Sequence, residues 1–100
     1  MLPATNSQVQ VVRVTRNWDG SISEATVGTY DVYVEEGSVL GVDRSGRMLH
    51  EIGRGTIFFG EDVDLTDCDV VVDGKRYKVV DVRRYVKPGG AFHHLEVVYR

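Results

Sequence analysis

The sequence predicts an all-β domain, and three observations predict it. Nowhere do apolar residues recur at i, i+3, i+4 and i+7 over a dozen positions, so helix is confined to a turn or two. Short stretches such as Gln8–Thr15 and Thr26–Glu35 alternate apolar and polar residues instead, the period of a strand. Eleven glycines, several in Asp-Gly, Ser-Gly and Pro-Gly pairs, punctuate the chain with turns. Six to eight short antiparallel strands of this kind hide their edges as a closed or nearly closed β-barrel, or as a small sandwich.

In chain order, residues 1–7 are polar, carry a proline and read as a loose N-terminal arm. Gln8–Thr15 sets Val12 and Val14 on one side and Val9 and Val11 on the other, a strand with two partly buried faces. Asp19-Gly20 marks a turn, and Trp18 is expected to fold over the end of the core. In Thr26–Glu35, Tyr30, Val32 and Val34 share the inward face. The pattern breaks from Glu36 to Gly55, where Gly37, Gly41, Gly46, Gly53 and Gly55 interrupt apolar pairs. Two short strands around Ser45-Gly46 would fit, as would one long flexible glycine-rich loop over 37–55, and the loop is the expectation adopted.

Thr56–Phe59 is a short apolar strand ending at Gly60. Glu61–Asp69 packs five further acids around Val63 and Leu65, which read as anchors of a connector with its acids facing out. An EF-hand needs a glycine and a terminal glutamate at fixed offsets that this segment lacks, so no metal is expected. Asp73-Gly74 can supply the two positive φ values of a type I′ turn, which pairs Val70–Val72 with Arg76–Val82. Lys87-Pro-Gly-Gly90 is another turn, and the last strand points Leu95, Val97 and Tyr99 inward.

One hundred residues make one domain whose core needs no staples. The single cysteine, Cys68, is expected to be a small, partly buried strand residue. No apolar run approaches the ~20 residues of a spanning helix. Met1–Val12 lacks the pattern of a signal peptide, so synthesis in a cytoplasm is expected. Net charge is −3, but it is unevenly spread: residues 17–73 hold 13 acids against 3 bases, and residues 74–100 hold 7 bases against 2 acids. Such polarity either cancels between neighbouring strands or lets one subunit attract the next head to tail, the contact that closes rings.

Candidates for catalysis are thin. His93 and His94 are adjacent in a strand, so their side chains are expected on opposite faces, unable to share a metal. His50 and Cys68 lie in no nucleophile motif, and no phosphate loop or dinucleotide fingerprint occurs, so neither an enzyme nor a cofactor is expected. Arg83-Arg84-Tyr85-Val86-Lys87 mixes bases with an aromatic, as single-strand nucleic-acid platforms do. The negative net charge favours the other reading, a basic strand end that neutralises the connector at 61–69.

Thr56–Phe59, the segment Asp67-Cys-Asp-Val-Val-Val-Asp-Gly-Lys-Arg-Tyr-Lys-Val-Val and the end His93-His-Leu-Glu-Val-Val-Tyr together resemble the head-closure, or stopper, proteins of long-tailed bacteriophages. The match covers the last 45 residues well and the first 55 in outline. The resemblance implies a non-catalytic β-barrel in the virion neck, a ring of six or twelve copies below the portal or adaptor protein. It would close the DNA-filled capsid and meet a tail terminator or tail tube protein, with no membrane contact. Genomic DNA would slide through the channel without specific binding, which an acidic lining favours by repelling phosphates.

In that family a long loop projects toward the ring axis. The matching positions are Gly37, Gly41, Arg44, Gly46, Arg47, His50, Arg54 and Gly55, while candidate contacts to subunits or partners are Trp18, Asp62, Asp64, Arg83, Arg84, Tyr85 and Lys87. A tail-side joining protein of similar fold is the nearest alternative, and a small nucleic-acid-binding barrel a more distant one. The chain departs from the pattern in its short length and in Cys68, where a glycine or small polar residue is more usual.

Overall fold

The computed structural model describes residues 4–42, 46 and 49–100, and every regular element among them is a strand. They are β1 Ser7–Arg16, β2 Ile22–Val42, β3 Leu49–Phe59, β4 Cys68–Val72, β5 Lys75–Val86 and β6 Phe92–Tyr99. All neighbours pair antiparallel in the order β1-β2-β3-β6-β5-β4, and β4 pairs back onto β1 to close a barrel.

Alternation decides which side chains enter the barrel. Val9 and Val11, Val32 and Val34, Ile57 and Phe59, Val70 and Val72, and Leu95, Val97 and Tyr99 fill it from five strands, none more than 9% exposed. Each such side chain contributes about 1.5–3 kcal/mol by leaving water. The fifth strand in sequence, β5, adds the partly buried Tyr77 and Val79, and the Tyr77 ring lies 4.8 Å from that of Tyr99. Tyr30 meets Phe59 edge-on at 5.7 Å. Leu65, from the connector between β3 and β4, closes the core with Cys68, both buried. The inward faces expected from the alternation in β2 and β6 are the observed ones.

Turn chemistry also behaves as the residues dictate. Asp73 and Gly74 both take positive φ, 50° and 77°, and let β4 double back on β5 within two residues. At the start of the chain, Asn6 belongs to the sheet and not to a loose arm. Its amide donates to the Val32 carbonyl at 2.9 Å, and its side chain both donates to and accepts from the Val34 backbone.

The segment expected as a glycine-rich loop is different. The second strand continues through it to Val42, and Val39–Val42 pairs with Leu49–Gly53 as a two-stranded ribbon. The glycines there serve packing and kinking, not disorder. Gly37, at φ 150°, sits where the register shifts between Glu36 and Val39. A Cβ on Gly53 would collide with Val98, and one on Gly55 would stand 2.5 Å from Cζ of the Tyr99 ring. The ribbon leaves the wall beyond Glu36 and Gly55, where β1 and β6 no longer pair with it. A radius of gyration of 14.8 Å, against about 13 Å for a compact chain of this length, reflects such projecting hairpins.

Candidate functional site

Three surfaces are built on this frame. The first is the β2–β3 ribbon, called the arm below. It holds Gly37, Gly41, His50, Arg54 and Gly55 of the positions singled out by sequence, with Gly46 at φ 73° toward its tip. Arg44 and Arg47 lie outside the described residues. Its base is folded against the barrel: Val98 points to the outer face, yet is only 6% exposed, and Gly53 lies close enough that a Cβ there would collide with it. Farther out the arm shows Leu40, Val42 and Leu49 to solvent, each more than half exposed.

The second surface lies at the opposite end of the barrel, because consecutive hairpin turns alternate ends. There the β1–β2 turn carries Trp18, which is 99% exposed. The indole does not fold over the core as expected; Leu65 already plugs that end. The turn beneath it is tightly tied. Asn17 donates its amide to Ser21 O at 2.8 Å and its Nδ2 to the hydroxyls of Ser21 and Ser23, both at 2.9 Å. Ser21 donates its amide and its hydroxyl to Asp19 Oδ1, at 2.9 and 2.6 Å.

The acidic connector beside it is neutralised by neighbours, as its sequence suggested. Arg84 donates to Asp62 from Nη2 and Nε at 2.9 and 3.2 Å, and this bond holds the Asp62 carboxyl below its ordinary pKa. Asp64 accepts from the Thr66 amide at 3.0 Å, and hydrogen bonding to the Thr66 side chain first, then to that amide, lowers its pKa likewise. Arg13 reaches the Asp64 carbonyl at 3.0 Å. The carboxylates thus face separate partners, and among the described residues no three potential ligands converge on one point.

Arg83 is paired with Asp81 at 3.3 Å. With Arg84 already bound to Asp62, both arginines of the basic segment are engaged by carboxylates, and Lys87 stands exposed at the start of the β5–β6 turn. The isolated sequence pattern for single-strand binding therefore does not present two uncommitted guanidinium groups.

The third surface is a row of rings that crosses four strands on the outer wall, and sequence reading missed it. Tyr33 on β2 lies 5.8 Å from Phe58 on β3, Phe58 lies 6.4 Å from His94 on β6, and Tyr85 on β5 stacks on His94 at 4.5 Å with only 4° between planes. Only the register of a closed sheet brings these residues together, since they are spread over 60 positions of sequence. His93 joins them. Tyr85 pairs with His94 while Val86 pairs with Phe92, so His93 is the extra residue of a β-bulge.

That bulge corrects the expectation that the two histidines leave opposite faces: Nδ1 of His93 and Nδ1 of His94 are 2.6 Å apart, close enough to share one proton. Burial, and then the neighbouring His94, pull the His93 pKa below its ordinary value. Glu96 lies 4.0 Å from His94 Nε2 and, by hydrogen bonding, raises the Tyr85 phenol.

Beside this row, the base of the arm and the wall of β3 and β6 enclose a cleft of about 320 Å³. Val39, Phe58 and Val98 form its apolar lining, and Glu35, Glu36 and Glu96 its acidic rim.

Cys68 and His50 are not brought together. Cys68 is buried on β4, where its thiol donates to the Thr66 carbonyl at 3.3 Å and burial pushes its pKa up. His50 is exposed on β3, which does not neighbour β4. An inert thiol and a distant imidazole make no nucleophile and base, whereas the exposed aliphatic arm, the presented indole and the cleft beside the ring row are features of docking surfaces. No protein-family model matches the chain, and a search of curated proteins finds no match.

Proposed function

We propose that this chain is a non-catalytic structural protein of the neck of a long-tailed bacteriophage. It docks as a ring below the portal or adaptor, closes the DNA-filled capsid and offers the tail its attachment surface. The observation that carries the reading is the arm. It leaves a closed barrel at the segment where the resemblance to head-closure proteins calls for a projection, and it holds Leu40, Val42 and Leu49 in water. A two-stranded ribbon is marginal by itself, and exposed aliphatics in a row mark contact surfaces.

The charge distribution adds support. Glu35, Glu36 and Glu51 lie on β2 and β3, while Arg16 and Lys78 lie on β1 and β5 beside Arg13 and Arg76, which are paired with Asp64 and with Glu24 and Asp69. Opposite charges on different faces suit head-to-tail contact between copies.

The experiment is co-sedimentation of the purified protein with DNA-filled, tailless capsids, followed by measurement of the DNA retained. Stoichiometric binding with improved retention is expected. Binding to isolated tails and not to capsids would place the protein on the tail side and refute the stopper role.

A further inference from the structure

Trp18 is the chain's sole tryptophan, and among the described residues none covers it. The turn that carries the indole is pinned by its own hydrogen bonds, so binding would not have to order that backbone. Tryptophan is also the side chain most often found as the energetic anchor of a protein interface. Ile22, 55% exposed, extends the apolar tip, and Arg16, exposed on β1, adds a positive charge beside it.

The cleft at the base of the arm has the complementary chemistry. Its lining of Val39, Phe58 and Val98 would take an apolar ring, and Glu35, Glu36 and Glu96 give its rim three negative charges. Its one base, Arg83, is already paired with Asp81. At about 320 Å³ it falls at the lower end of pockets that hold a compact group. Knob and cleft belong to opposite ends of the barrel, so no single molecule can join them.

We propose that Trp18 of one copy seats in the Val39–Phe58–Val98 cleft of the next, with Arg16 facing the glutamate rim. A contact between two different patches of the same chain is heterologous, and repeated with the right rotation it closes a ring. The inference rests on the ring reading above and names the contact that would build it.

Fluorescence tests it directly, because all tryptophan emission comes from Trp18. Sedimentation and fluorescence are followed together as the purified chain is concentrated to about 1 mM, a range that reveals even weak self-association. The emission should move to shorter wavelength, and acrylamide quenching should fall, in step with association. Trp18→Ala should raise the concentration needed for half-association roughly thirtyfold, the size of an interface anchor. Arg16→Glu and Glu36→Arg should each weaken association, and the two combined in one chain should restore it, a recovery that misfolding cannot mimic.

Association with an indole as quenchable as in the monomer would overturn the proposed seat while leaving the ring reading intact. A chain that stays monomeric with an accessible indole, or a Glu36→Arg chain that associates normally, would also overturn the seat. Self-association through Trp18 without any binding to capsids would instead uphold the contact and refute the neck role.

Discussion

Replacing Gly53 by alanine tests whether the arm is truly seated on the barrel. Gly53 has no positive φ, so backbone geometry alone would welcome a side chain. Removing glycine from a strand gains roughly 0.5–1 kcal/mol through the unfolded chain. Space opposes it. The new methyl would collide with Cγ1 of Val98 and stand 3.0 Å from the Tyr99 carbonyl oxygen, which is backbone and cannot swing aside. Overpacking of this kind costs typically 1–3 kcal/mol, leaving a net loss centred on ~1 kcal/mol and reaching at most about 2.5 kcal/mol. With a urea m-value near 1 kcal/mol/M, the midpoint should fall by roughly 1 M.

The assay pairs a urea melt with amide hydrogen exchange, where Val39 to Val42 should lose protection before the core strands do. Gly28→Ala is the internal control. Its neighbours are Oη, Cζ and Cε2 at the far end of the Tyr30 side chain, 2.9, 3.0 and 3.2 Å away, and they can yield by a tilt of the ring where the Tyr99 backbone cannot, so the loss should be smaller than at Gly53. A Gly53→Ala protein as stable as the parent, with an equally protected arm, would refute the packing of the arm on β6.

Phe59→Ala empties the largest fully buried side-chain position and should cost about 3–5 kcal/mol by urea melt. Cys68 should resist an aromatic disulfide reagent at neutral pH until the chain unfolds, because burial raises its thiol pKa and only the thiolate reacts. His93 has a lowered pKa in the folded state, so the folded chain binds fewer protons there than the unfolded chain does. Its contribution is therefore complete above the unfolded value near 6.5 and is lost as pH falls through that value toward the folded one. Urea midpoints should drop as pH falls below about 7, and His93→Gln should flatten the drop.

Much of the wall was legible because its signals are local. Asp73-Gly74 encodes its own turn, and the period-two runs around Val32 and Val97 name the inward side without knowledge of any partner strand. The arm was misjudged because its glycines look like those of a flexible loop. Gly53 and Gly55 are there to let Val98 and Tyr99 approach, and such closeness exists only once β6 lies beside β3.

The histidines were misjudged for a related reason: strict alternation fails at a bulge, and the bulge is set by the register of β5 against β6. The hydrophobicity of Trp18 points to the core, but Leu65, one of the two anchors along an acidic run, already occupies the place. The ring row from Tyr33 to Tyr85 left no trace in the sequence, since its members share no spacing.

The length of β2 has a mechanical side. One continuous strand of 21 residues is part of the wall through Glu36, paired with β1 over Ile22–Val32, and beyond the register shift at Gly37 it becomes part of the arm. A pull on the arm along that strand would load the hydrogen bonds to β1 in shear, all together, instead of peeling them one after another. The arm is thus anchored as a tension member, and whatever tugs on its tip addresses the whole barrel at once.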